Sequence, residues 1–172
     1  MGEKSAISYV DASWSPWIGC TKVSAVCRNC YAETWAKRAG RDFSTITRAG
    51  DATFYAPLKW KDPKRIFVCG LSDFFHPDAN LWRIEAYGVM RDASQHTYLI
   101  LTKRPELIKD CLAPREWQPR DYAFADNQWL GVTGETQHIL NQRHGIIADL
   151  PAVKRFVSIE PMLGPIDITH LA

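Results

Sequence analysis

Four short apolar runs, each closed by a glycine, a proline or a polar pair, constrain this chain more than anything else in it. They are residues 66–69 (IFVC), broken at Gly70, and residues 97–101 (TYLIL), ending at Thr102-Lys103. The other two are residues 128–132 (QWLGV), ending at Thr133-Gly134, and residues 155–159 (RFVSI), ending at Glu160-Pro161. Runs this short that are apolar on both faces read as buried parallel strands. Helical patterns lie between them. Residues 79–94 place Leu81, Ile84, Tyr87 or Gly88, and Met90 near helical spacing, with Asp78 or Asn80 as the expected cap. Residues 105–112 open on Pro105, whose missing N–H is not needed in a first helical turn. Residues 136–148 carry Ile139, Leu140, Ile146 and Ile147, and an earlier helix over 31–39 stops at Gly40.

Strands alternating with helices imply βαβ units, a parallel sheet and an α/β fold. Right-handed crossovers would curve such a series into a barrel or an open doubly wound sheet. A full eight-unit barrel takes about 250 residues, and the 172 residues here supply four or five units. The expectation is therefore one domain over residues 1–172, a partial (β/α) barrel. The sequence stops soon after the last run, at IDITHLA, with no clear final helix. Either the barrel is truncated, or a protein partner or a second copy covers its open edge, because a bare edge invites aggregation.

Composition narrows the function classes. Hydrophobic residues make up 46% and charged residues 23%, which excludes a mainly disordered chain or a coiled coil. The net charge of +2 argues against a general electrostatic nucleic-acid binder and leaves only a local patch. The densest patch is residues 59–65, with Phe54, Tyr55 and Trp60 interleaved. It reads as a solvated loop entering a strand, with a nucleic-acid contact as the sharper reading. No run approaches the ~18 apolar residues of a membrane span, and the N-terminus has no apolar signal core. The expected location is cytoplasmic.

A reducing compartment argues against a disulfide framework for the five cysteines. Three of them, Cys20, Cys27 and Cys30, form a tight C-x6-C-x2-C trio within residues 14–33, which points to a metal. Gly19 gives the backbone freedom to loop round a centre, and a helix starting beside Cys30 would stabilise thiolate charge. Three thiolates on a [4Fe–4S] cluster leave one iron open to a small molecule. S-adenosylmethionine would fit that vacancy through its amino and carboxylate groups, and an electron from the cluster would then cleave a C–S bond to give a carbon radical. The alternative is structural zinc, which takes four Cys/His ligands. The nearest further candidates are Cys69 and His76, and a site without metal is the third reading. Otherwise Cys69 and Cys111 read as inert core thiols. Trp14, Trp17, Tyr31 and Trp35 flank the trio, either shielding it and packing the first helix or offering a stacking platform for a base.

In barrels and open α/β sheets, ligands bind at the carboxyl ends of strands. That singles out Ser72, Asp73 and His76, then Thr102, Lys103 and Arg104, then Thr133 and Glu135, then Ser158, Glu160 and Met162. Asp73 and Glu160 suit a ribose or an amino group. Lys103 and Arg104 suit a carboxylate or phosphate. The blander readings are a turn or cap for Asp73 and a charged helix-capping loop for residues 103–106.

Five ordered blocks carry a resemblance. WSPWIGCTKVSAVCRNCYAE (residues 14–33) resembles the signature of the three-Cys-motif phage proteins, a radical-SAM-like family. RIFVCGLSDFFHP, LILTKRPE, WLGVTGETQ and FVSIEPMLGPIDI resemble its later blocks in order. The resemblance implies a radical-SAM-like partial barrel, a [4Fe–4S] cluster on Cys20, Cys27 and Cys30, bound S-adenosylmethionine, and a phage protein working in a host cytoplasm. Two features depart from the pattern. The spacing differs from the commoner radical-SAM C-x3-C-x2-C, and members of the family usually continue past the SIEP block with a Gly-rich segment and further strands. A cluster-binding or zinc-binding interaction protein without catalysis, acting on nucleic acid or a protein partner, is the competing expectation.

Overall fold

A computed structural model of the chain describes residues 2–112, 124–152 and 154–171. In chain order its strands are β1 (Ala12–Trp14), β2 (Trp17–Ile18), β3 (Thr47–Arg48), β4 (Arg65–Val68), β5 (Thr97–Thr102), β6 (Gln128–Thr133) and β7 (Lys154–Ser158). Its α-helices are α1 (Tyr31–Arg38), α2 (Asp51–Phe54), α3 (Asn80–Asp92), α4 (Ile108–Leu112) and α5 (Gln137–Ala148). Five strands form one parallel sheet in the order β1-β4-β5-β6-β7. β2 and β3 form a separate antiparallel pair.

The four apolar runs are the four inner and late strands, and the expected parallel α/β sheet is present. Each strand adds beside its predecessor, the order that repeated crossovers of one hand produce. The sheet is open: β1 and β7 are its edges and do not pair with each other among the described residues. β1 was not foreseen, since three residues are too few to show a period.

Alternation along the strands divides the side chains between two faces. Ala12, Trp14, Ile66, Val68, Tyr98, Ile100, Leu130 and Val132 enter the main core, with Ala86, Val89 and Met90 of α3 and Ile147 of α5. Trp14 meets Phe54 and Tyr98 edge-on, at centroid distances of 6.3 and 6.0 Å. Such pairs contribute about 0.5–1.5 kcal/mol beyond area burial. The opposite face is thinner. Phe67 and Leu99 cluster there with Val10, and Ile7, Tyr9, Leu101, Trp129 and Phe156 pack against them.

The helix ends correct some local expectations. Neither Asp78 nor Asn80 caps α3. A 3-10 turn, Pro77–Ala79, runs straight into the helix, and His76 Nδ1 accepts the Asp78 N–H at 3.3 Å. α3 buries Arg83, Ala86, Val89 and Met90, whereas Leu81 and Ile84 are exposed. The buried face is shifted because Arg83 turns inward to the carbonyls of Phe74 and His76, at 2.9 and 2.5 Å. α5 starts at the cap Thr136, whose hydroxyl accepts the Ile139 N–H. The basic stretch at 59–65 does not display its aromatics. Phe54 and Trp60 are buried, and Arg65 lies beside Asp11 at 3.7 Å.

Candidate functional site

The loops after β1, β4 and β5 meet at the carboxyl edge of the sheet, on the thin face. Gly19 makes the meeting possible. Its φ is +109°, and a Cβ there would collide with the Thr45 carbonyl. Its N–H donates to Leu71 O at 3.1 Å, and Ser72 Oγ donates to its carbonyl at 2.5 Å. The Cys20 N–H donates to Phe43 O at 2.8 Å. Cys20 is thus fastened to two neighbouring loops before its side chain does anything.

Beneath it lies a buried polar lattice. Asp73 Oδ1 accepts from Phe75 N–H at 3.0 Å and Thr102 Oγ1 at 2.7 Å, and Oδ2 accepts from Lys103 N–H at 2.9 Å. Arg104 Nη1 lies 3.3 Å from Asp73 Oδ2. The same nitrogen donates to Cys20 Sγ at 3.3 Å, while Nη2 donates to Thr21 O and Oγ1 at 2.7 and 2.8 Å. His76 Nδ1 accepts from Asp78, so its Nε2 carries the proton and donates to Thr21 Oγ1 at 3.1 Å. Asp73 and Arg104, singled out from the sequence as ligand-binding groups, hold each other, and Arg104 holds the cysteine loop. Ser72 likewise holds that loop.

A cavity of about 580 Å³ opens above this lattice, within the usual range for a small-molecule site. Cys20, Cys27 and Cys30 line it, as do Ser72, Asp73, Lys103, Arg104 and Glu160. Of the other strand-end residues singled out from the sequence, Thr102 and Thr133 also line it, and His76, Ser158 and Met162 do not. Glu135 lies outside the lining too. It turns to Arg143 of α5, with Oε2 at 2.7 Å from Nη1, while Oε1 has no partner among the described residues. Lys103 and Glu160 are the charged groups of the lining whose side chains make no hydrogen bond or ion pair among the described residues. Trp14 and Trp17 are core residues, and the indole of Trp17 donates to Asp73 O at 3.2 Å. Tyr31 lines the cavity, with its hydroxyl on Gly70 O at 2.5 Å.

The thiols differ in their surroundings. Burial pushes Cys20 up, with Asp73 and Cys27 adding to the shift and Arg104 opposing it. Burial also acts on Cys27, but the backbone of Val23 and Ser24, the Ser24 hydroxyl and Lys103 outweigh it and leave that thiol below its ordinary value. All five cysteines are free thiols. Among the described residues, no three His, Cys, Asp or Glu side chains converge as a ready-made cage. The 3-10 turn Ala25–Asn29, which carries Cys27, buries none of its residues and is not locked into the core. The donor set fits an iron–sulfur cluster in its chemistry: three soft thiols facing one cavity, beside a buried cation. Cys69, named from the sequence as a candidate fourth ligand and otherwise as a core thiol, directly follows β4 with φ +59°, is buried, and lines the same cavity near Cys20.

Fold and site together define an α/β protein with a sequentially ordered parallel sheet and a thiol-lined cavity at its strand ends. The chain belongs to the family described as "Protein of unknown function (DUF5131)", whose model matches residues 4–172. No curated protein and no solved structure matches it.

Proposed function

We propose that this chain is a radical-SAM-like iron–sulfur protein. In this reading Cys20, Cys27 and Cys30 hold a [4Fe–4S] cluster, the cavity takes S-adenosylmethionine, and the open sheet is a partial barrel of that type. The observation that carries it is that three thiols and two unpaired charges of opposite sign line one strand-end cavity. The resemblance of the five sequence blocks to the three-Cys-motif phage proteins adds to it, and with it a phage protein in a host cytoplasm. When bound, the cluster supplies an electron for reductive cleavage of a C–S bond. Lys103 holds the ligand carboxylate, and Glu160 its ammonium group. Asp73 and Arg104 act from beneath by fixing the loop that bears the first thiol. Ile7, Phe67 and Leu101 give the cavity an apolar floor that limits water.

Anaerobic reconstitution tests this. About four irons and four sulfides per chain are expected, with loss of both in the C20A, C27A and C30A variants. K103M is expected to weaken S-adenosylmethionine binding at least tenfold without changing iron content. A protein that takes up neither iron nor sulfide overturns the reading.

The presence of Cys69 in the lining favours a second reading. With four thiols round one cavity, the donor set also suits structural zinc in a non-catalytic interaction protein. One zinc per chain, lost in C69A, would establish it.

A further inference from the structure

Arg104 was expected to meet a ligand anion, but both terminal nitrogens of its guanidinium are already engaged. It is buried, with Asp73 at 3.3 Å, the Thr21 carbonyl and hydroxyl at 2.7 and 2.8 Å, and Cys20 Sγ at 3.3 Å. Among the described residues it is the cation hydrogen-bonded to a sulfur of the trio. Lys103, next in the chain, acts on Cys27 only through space. Asp73 is also fully engaged, by three donors besides Arg104. The guanidinium therefore has no freedom to swing towards a substrate. It belongs to the sulfur.

We infer that Arg104 is a positioning residue for the metal centre. It hydrogen-bonds the Cys20 sulfur and sets the reduction potential of the centre that this sulfur helps to hold, with Asp73 tempering its charge. The inference rests on the cluster reading above. Hydrogen bonds to cluster sulfurs and the net charge nearby are the protein's main controls on such potentials. A buried cation favours the state that holds the extra electron, so Arg104 raises the potential. The Asp73 carboxylate lies against the same guanidinium nitrogen, Nη1, and lowers it. The arrangement makes one sulfur of the three electronically distinct.

The test is a redox titration of the reconstituted protein followed by electron paramagnetic resonance. R104M removes the charge and the hydrogen bond. R104K keeps the charge and loses the planar fork that reaches Thr21 and Cys20 together. The midpoint potential is expected to fall from wild type to R104K and further to R104M. D73N removes the opposing charge and is expected to shift it upward. A residue with only a structural role would not give shifts of opposite sign. R91M, on the exposed surface of α3, is the charge-matched control and should match wild type. If D73N does not fold, the Lys and Met variants still decide the order. Coincident potentials in wild type, R104K and R104M, or a higher potential in R104M, overturn the inference while leaving the cluster intact. A wild-type protein without iron and sulfide fails earlier, and there the cluster reading itself has failed.

Discussion

Two buried arginine–carboxylate pairs sit at the carboxyl edge of the sheet, and they differ in what surrounds them. Asp73 and Arg104 join the ends of β4 and β5, with side chains 6% and 3% exposed. Glu135 and Arg143 join the end of β6 to α5, with side chains 5% and 8% exposed. Depth and chemistry are alike. The first pair faces the cavity and passes its remaining donors to Cys20 and Thr21. The second is self-contained: Arg143 Nη1 returns to Thr133 O and Oγ1, each at 2.9 Å. A buried ion pair is weak support for stability in itself, because desolvation offsets the attraction. What distinguishes these two is where the third hydrogen bond goes. At β5 it goes to a prospective metal ligand, and at β6 it goes back to the strand that carries the carboxylate.

The sharpest way to break the comparison is Arg143→Met. It leaves the Glu135 carboxylate buried with no cation, at a cost of about 3–5 kcal/mol. Denaturant unfolding should show that loss, and adding Glu135→Gln should recover a good part of it. Neither variant should alter iron uptake by the folded fraction, since Glu135 lies outside the cavity. Gly19→Ala acts on the other pair's side. A side chain at φ +109° facing the Thr45 carbonyl costs about 1–3 kcal/mol in strain. Because Gly19 delivers Cys20 to Arg104, this variant should also lower iron and sulfide content. Equal metal content in Gly19→Ala and wild type would separate the loop from the site.

The difference between the pairs also marks how far the sequence could be read. The strands and their ends were legible because a buried strand is a continuous apolar run that stops abruptly, as at Thr102-Lys103. Ser72, Asp73, Thr102, Lys103, Arg104, Thr133 and Glu160, read from those strand ends, line the cavity. Which charge meets which was not legible. Arg104 and Cys20 are 84 positions apart, and nothing local in either segment announces the other. Glu135 looked equivalent to Asp73, since each is a carboxylate following a strand. The cue that separates them is Arg143, eight residues on and two turns into a helix that begins at once. Cys69 reads as a core thiol because IFVC is apolar throughout, with a fourth-ligand role as the alternative. It belongs to the core cluster and also lines the cavity, and its left-handed backbone is one that a residue other than glycine does not announce in sequence.

Smaller effects sharpen the same contrast. Thr136→Ala removes the cap that starts α5 and so loosens the anchor of Arg143. It should cost about 1 kcal/mol in an unfolding titration, with no change at the cysteine cavity.

On the other side the corresponding probe is pH, through His76. Burial, and next the Arg104 charge, hold its imidazole below the ordinary histidine value. Asp78 and Asp73 act against that shift, and Arg83 acts with it. The unfolded chain therefore takes up a proton at a pH where the folded chain does not. The stabilising contribution is complete above the ordinary histidine pKa and is lost as pH falls through it towards the lower folded value. Wild type should lose stability between about pH 7 and pH 5, and His76→Gln should lose less over the same window. A slope unchanged by that substitution, with Arg143→Met still destabilising at both pH values, would show that the proton-sensitive element of this rim lies away from the Thr21–Arg104 contact.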